Sequence, residues 1–152
     1  MTHSHQRGFT LIELLVVLAI IGILSTMVVA AVGRAKSSAN DARRMGDINA
    51  LQRAVELAYL DVRDYRIVLG DGCDTAGDRV KQCDGTVVAM LPGITTVDDA
   101  FGTQGCTTIA AGCDYSIIEP PTATHYRIGF YLEGGLANLA EGAHFLSEDG
   151  IQ

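Results

Sequence analysis

The sequence predicts an α+β protein: a long N-terminal α-helix, its first half membrane-spanning, packed against a small antiparallel β-sheet head. Three observations predict it. Between Phe9 and Val32 the only charged residue is Glu13, and the run from Leu14 to Val32 has none. Small and apolar residues then recur at intervals of three and four: Ala35, Ala39, Ala42, Met45, Ile48, Leu51, Val55, Ala58 and Val62. Past Gly70 the chain is punctuated by glycine and holds only short apolar stretches.

The first element is an apolar helix. Phe9 to Val32 is about the length needed to cross ~30 Å of hydrocarbon. The polar flank before it carries Arg7, with His3 and His5 as further cations, so the short end stays cytoplasmic and the acidic remainder crosses. A secretory signal has an apolar core of only ~7–15 residues and a cleavage site after it. This run is longer and flows without a turn signal into the amphipathic stretch. A carboxylate at membrane depth costs ~2.5–3.5 kcal/mol, so Glu13 requires either a position near the helix end or a partner.

The second element continues the first. Positions such as Ala42, Ile48, Leu51 and Val55 form one helical face, with Arg43, Arg44, Asp47, Arg53 and Glu56 mostly between them. The spacing predicts one helix from about Thr10 to about Tyr65, roughly 80 Å at 1.5 Å per residue. No proline interrupts it, and Gly22 and Gly33 are its weakest points.

The head follows. Strands are predicted at Thr86–Met90, Tyr115–Ile118, Tyr126–Leu132 and His144–Ser147, with a helical turn at Leu136–Leu139. Glu119-Pro120-Pro121 opens a loop between two of the strands.

The 152 residues carry 11 Lys+Arg against 18 Asp+Glu, a net charge of −7 and a pI near 4.9. Phosphate binding needs clustered cations, so direct nucleic-acid binding is not expected. An apolar content of 48% argues against disorder for most of the chain. No nucleophile elbow, phosphate loop or zinc-protease helix motif occurs, and His125 and His144 are isolated in sequence, so no catalytic residue is assigned.

Gly8-Phe9-Thr10-Leu11-Ile12-Glu13, behind a short basic leader and ahead of a long apolar run, resembles the class III signal of type IV pilins and type II secretion pseudopilins. The resemblance implies cleavage by a prepilin peptidase between Gly8 and Phe9, N-methylation of Phe9, and a role for Glu13 in assembly. It implies a pilin-like fold and a domain plan of leader 1–8, membrane and filament-core helix 9–33, amphipathic helix 34–66 and β head 67–152. The implied partners are other copies in a helical polymer, other pilins, the peptidase, an inner-membrane assembly platform and the membrane. The implied location is the inner membrane before assembly, then a surface or periplasmic filament. A type IV pilus-like filament subunit is the first reading. A type II secretion pseudopilin is the alternative, and a non-polymerising membrane-anchored binding protein is a third.

Four cysteines, Cys73, Cys83, Cys106 and Cys113, lie in the exported part, where disulfides persist. Three pairings exist. Cys73–Cys83 and Cys106–Cys113 are favoured because each is local and encloses a glycine-rich loop. Intervening lengths of nine, twenty-two and six residues fit structural zinc poorly. No cofactor is assigned. Because some pseudopilin heads bind calcium, Asp71, Asp74, Asp78 and Asp84 around the first bridge, and Asp98–Asp99, are calcium candidates. Asp71–Asp78 departs from the Asp-x-Asp-x-Asp-Gly calcium loop, and a solvated acidic loop is the preferred reading.

Overall fold

A computed structural model describes residues 10–97, 99, 102–136 and 138–152. Gly8, Phe9 and Asp98 lie outside the described residues. The first helix, α1, runs Leu11–Val62. By internal packing the chain divides into two units, one through Lys36 and one from Ser37.

In the first unit the helix buries nothing. Its large apolar side chains from Leu11 to Val32 are exposed, from 46% at Val17 to 84% at Leu11. This stretch is long and apolar enough to cross a membrane. Its two hydroxyls fit that setting, because each donates to a carbonyl of its own helix: Ser25 Oγ to Ile21 O (2.7 Å) and Thr26 Oγ1 to Ile23 O (2.8 Å).

In the second unit the 3.6-residue period has a purpose. Ile48, Leu51, Val55 and Ala58 are all buried on one face of α1, in a core with Ile117, Ile128, Phe130, Leu132 and Leu146. The sheet partners come from β1 (Ser116–Glu119), β2 (Arg127–Leu132), β3 (Gly142–Ser147) and β4 (Gly150–Ile151), antiparallel neighbours in that order. β1 shifts register between Ile117 and Glu119, a bulge ahead of Pro120-Pro121. In β2, Gly129 pairs with Ser116 and Phe145, and a Cβ there would run into the Ile109 side chain. The open edge of β1 is met by the chain before it. Gly77 N–H donates to Ile117 O (2.8 Å), Ile117 N–H to Asp78 O (2.8 Å) and Val80 N–H to Tyr115 O (2.9 Å).

Three expectations are corrected. α1 stops at Val62, not near Tyr65. Arg63 takes a left-handed φ of 57°, Asp64 is extended, and Asp64's carboxylate accepts the Arg66 N–H to start a new helix, α2 (Tyr65–Leu69). The predicted strand Thr86–Met90 is instead a one-turn helix, α3 (Val87–Met90). A short apolar run does not distinguish strand from helix by period, and here Gly85 lies against the carbonyls of Ile67 and Val68 in place of a sheet neighbour. The predicted helical turn at Leu136–Leu139 is a tight reversal in which the two leucines exchange N–H···O bonds (2.9 and 3.0 Å). Strand β4 was not anticipated, because two residues carry no alternation.

Candidate functional site

The chemistry of the apolar helix is concentrated at its first turn. Thr10 N–H and Thr10 Oγ1 both donate to Glu13 Oε2, at 2.9 and 2.8 Å, and Glu13 N–H donates back to Thr10 Oγ1 at 3.4 Å. This is a capping box, Thr-x-x-Glu, which satisfies otherwise orphaned amides of the helix start and also solvates the carboxylate. Ile12, Val16 and Val17 surround Glu13 in a shallow apolar groove. The one acid of the apolar stretch is thus held within its own first turn, on a helix otherwise prepared for lipid or for like helices. The residues assigned to cleavage and methylation, Gly8 and Phe9, are outside the described part.

The head has its own polar centre, which the sequence did not reveal. Arg44 is 4% exposed and reaches three carboxylates. Its Nη1 donates to Asp41 Oδ1 (2.9 Å), its Nε and Nη2 to Asp99 (2.8 and 3.0 Å), and Nη2 also to Glu133 Oε1 (2.9 Å). Asp41 in turn accepts the Glu133 and Gly134 amides at 2.9 and 2.8 Å. One helical turn of α1 therefore holds both Asp99 and the turn after β2. Burial pulls the Arg44 pKa down, but the bonds to Asp99, Glu133 and Asp41 outweigh it and hold the guanidinium above its ordinary value. Asp99 N–H donates to the buried Asp114 (2.9 Å), and Lys81 Nζ lies 3.2 Å from Asp114 Oδ2. The only local clue was the i,i+3 spacing of Asp41 and Arg44.

Two further clamps hold the head. Glu56 on α1 accepts from the hydroxyls of both Tyr65 (3.1 Å) and Tyr126 (3.2 Å). Burial, and then the Glu56 charge, raise both tyrosine pKa values, so the phenols stay protonated as donors. At the far end of the sheet His125 lies between Glu148 (Nδ1 to Oε1, 2.5 Å) and Glu119 (Nε2 to Oε2, 3.5 Å), and Glu119 also receives Arg127 at 2.7 Å. The Glu148 hydrogen bond raises the His125 pKa, the two carboxylate charges adding to it against the opposing effect of burial.

The structure joins Cys73 to Cys83 and Cys106 to Cys113, with no free cysteine. The acids around the first bridge do not converge. Asp84 accepts the Gly72 N–H (3.1 Å), Asp78 the Thr75 N–H (2.9 Å) and Asp74 the Thr75 hydroxyl (3.0 Å), and Asp71 opens a 3-10 turn. Asp99 is engaged by Arg44. Among the described residues no group of three or more His, Cys, Asp or Glu side chains is placed to hold a metal ion. The structure thus does not assemble the described calcium candidates into a binding set, because Asp74, Asp78 and Asp84 are turned to donors of their own loop and Asp99 to Arg44.

Comparison with known proteins agrees with the amino-terminal signal. The prokaryotic N-terminal methylation motif matches residues 3–29. The chain is 42% identical over 60 residues to the type II secretion system core protein G of Escherichia coli (strain K12), covering 40% of this chain and 41% of that protein. It is 38% identical over 65 residues to the core protein G of Aeromonas hydrophila, covering 43% and 46%. It is 41% identical over 61 residues to that of Pseudomonas aeruginosa, covering 40% and 43%. The chain thus spans less than half the length of the curated relatives it matches. No solved structure matches it. A methylation motif at residues 3–29, and an amino-terminal stretch similar to type II secretion core G proteins that forms an apolar helix with one capped acid, make the amino-terminal part of this chain similar to prepilins of the type IV pilin and pseudopilin kind.

Proposed function

We propose that the chain is the precursor of a type II secretion pseudopilin. The likeness to core G proteins favours this over the type IV pilus subunit that the sequence alone placed first. Cleavage between Gly8 and Phe9 gives a new ammonium at Phe9, four residues from Glu13, and Phe9 is then methylated. In the fibre the Glu13 of one copy meets the Phe9 amine of a neighbour in a dry helical core. The exposed apolar side chains of residues 11–32 supply the bulk attraction, and the ion pair fixes register. The partners are the prepilin peptidase, the inner-membrane assembly platform and other pseudopilins, and the product is a periplasmic fibre. The observation that carries this reading is an apolar helix, exposed on every side, whose one acid is capped at its first turn.

The test is mass spectrometry of the first peptide together with electron microscopy of fibres from cells overproducing the chain. Mature protein should begin at methylated Phe9. Glu13→Val should be inserted and cleaved yet yield few fibres, and deletion of the gene should block export of secreted enzymes. A native chain beginning at Met1, or normal fibres from Glu13→Val, would refute the proposal.

A further inference from the structure

Among the described residues of 37–152 the large apolar side chains most exposed to solvent are Leu57 (54%), Leu60 (59%), Ile67 (53%) and Met90 (42%). Leu57 and Leu60 stand one turn apart on the outer face of α1 and line a shallow groove with Arg53 and Glu56. The Glu56 carboxylate accepts from the hydroxyls of Tyr65 and Tyr126, while the exposed Arg53 stands at the rim of the groove as its cation. A surface of two leucines beside an arginine fits a partner with apolar side chains edged by carboxylates.

The chain carries such a surface elsewhere. Asp74 on the loop closed by Cys73–Cys83, and Asp71 and Asp84 just outside its two ends, are exposed, and this segment follows the exposed Ile67 of α2. The disulfide and the Asp84 bond to Gly72 N–H fix that loop. After Arg63 the chain has only four bases, Arg66, Arg79, Lys81 and Arg127. Three of them are engaged by Asp64, Asp114 and Glu119.

We propose that the groove formed by Arg53, Leu57 and Leu60 of one copy receives Ile67 and the acidic Cys73–Cys83 loop of a second copy. The inference rests on the polymer reading above and adds the contact between heads. Groove and loop are different surfaces, so the contact is heterologous, the kind that propagates along a fibre.

The test uses the full chain in cells. Benzoylphenylalanine placed at position 57 and irradiated should crosslink to a second copy, and peptide mapping should place the adduct within residues 64–85. Arg53→Glu should lower fibre yield about tenfold through like-charge contact. Adding Asp71→Arg and Asp74→Arg to Arg53→Glu should restore it, with a thiol count showing that both disulfides form in every variant. Adducts on residues 11–32 or on another protein, wild-type fibre yield from Arg53→Glu, or no rescue by the charge swap would each overturn the contact while leaving the polymer reading standing. If the wild-type chain makes no fibres at all, the polymer reading itself falls.

Discussion

Arg44→Met is the sharpest test of how the head is held together. The substitution keeps most of the side chain's volume and removes its charge. Asp41, whose side chain has no exposed surface, keeps two amide donors but loses its cation, and Asp99, 3% exposed, loses two hydrogen bonds from Arg44. Glu133 is 34% exposed and turns to water, so its share is small. Stranding buried carboxylates costs about 3–5 kcal/mol when one partner of a buried pair is deleted. Out of a total stability of about 5–15 kcal/mol, that is a large fraction. For a unit of this size it lowers the melting temperature by about 10–20 °C. All of the hub lies within the second unit, so the assay is urea unfolding of a chain starting at Ala35, followed by circular dichroism, with hydrogen exchange at the Glu133 and Gly134 amides. Those two amides should lose protection first, because Asp41 then holds them without Arg44 to hold Asp41. Arg44→Met combined with Asp99→Leu should be more stable than Arg44→Met alone, since one of the two stranded charges is gone. A loss below about 1 kcal/mol for Arg44→Met would refute the account.

Other consequences can be measured on the same material. His125 has a raised pKa in the folded head, so its clasp contributes fully below the ordinary value of 6.5 and fades as pH rises through the folded value. His125→Gln should flatten that part of the stability profile, and a His125 titration by NMR at or below 6.5 would contradict it. Replacing Cys73 and Cys83 together by serine should cost about 2–3 kcal/mol and speed proteolysis between Gly70 and Gly85, and an unchanged cleavage rate would show that the loop does not need its bridge. Leu51→Ala, at a fully buried position on α1, should cost about 2–5 kcal/mol in the same unfolding assay. The truncated chain should sediment as a monomer, because it lacks the exposed apolar helix, and self-association at micromolar concentration would argue that head contacts dominate.

Much of this architecture was legible from local pattern. The apolar run, the amphipathic period through Ile48, Leu51 and Val55, and the alternation in Tyr126–Leu132 each report burial on a single element, so sequence spacing suffices. What escaped depends on contacts between distant segments. Arg44 reads as an ordinary surface base until Asp99 and Glu133 are brought to it across 55 and 89 residues of chain. Arg63 and Asp64 read as more helix, yet one left-handed residue and one side-chain cap end α1 there. Val87–Met90 is rich in strand formers, but a strand needs a neighbour, and Gly85 lies instead against α2. At the candidate site, Glu13 stood out because a lone acid in an apolar run is conspicuous, whereas the Thr10 contribution becomes evident only once both donors are seen on one carboxylate oxygen.

The way the sheet ends bears on how such a protein is stored. One border is capped by the Gly77–Val80 backbone, and the other is a strand of two residues. Beyond β4, among the described residues, only Gly142–His144 of β3 lie without a strand beside them, a short length on which a stranger's strand could template. A crowded stock of these molecules is therefore protected from sticking together through amyloid-like pairing of their sheets.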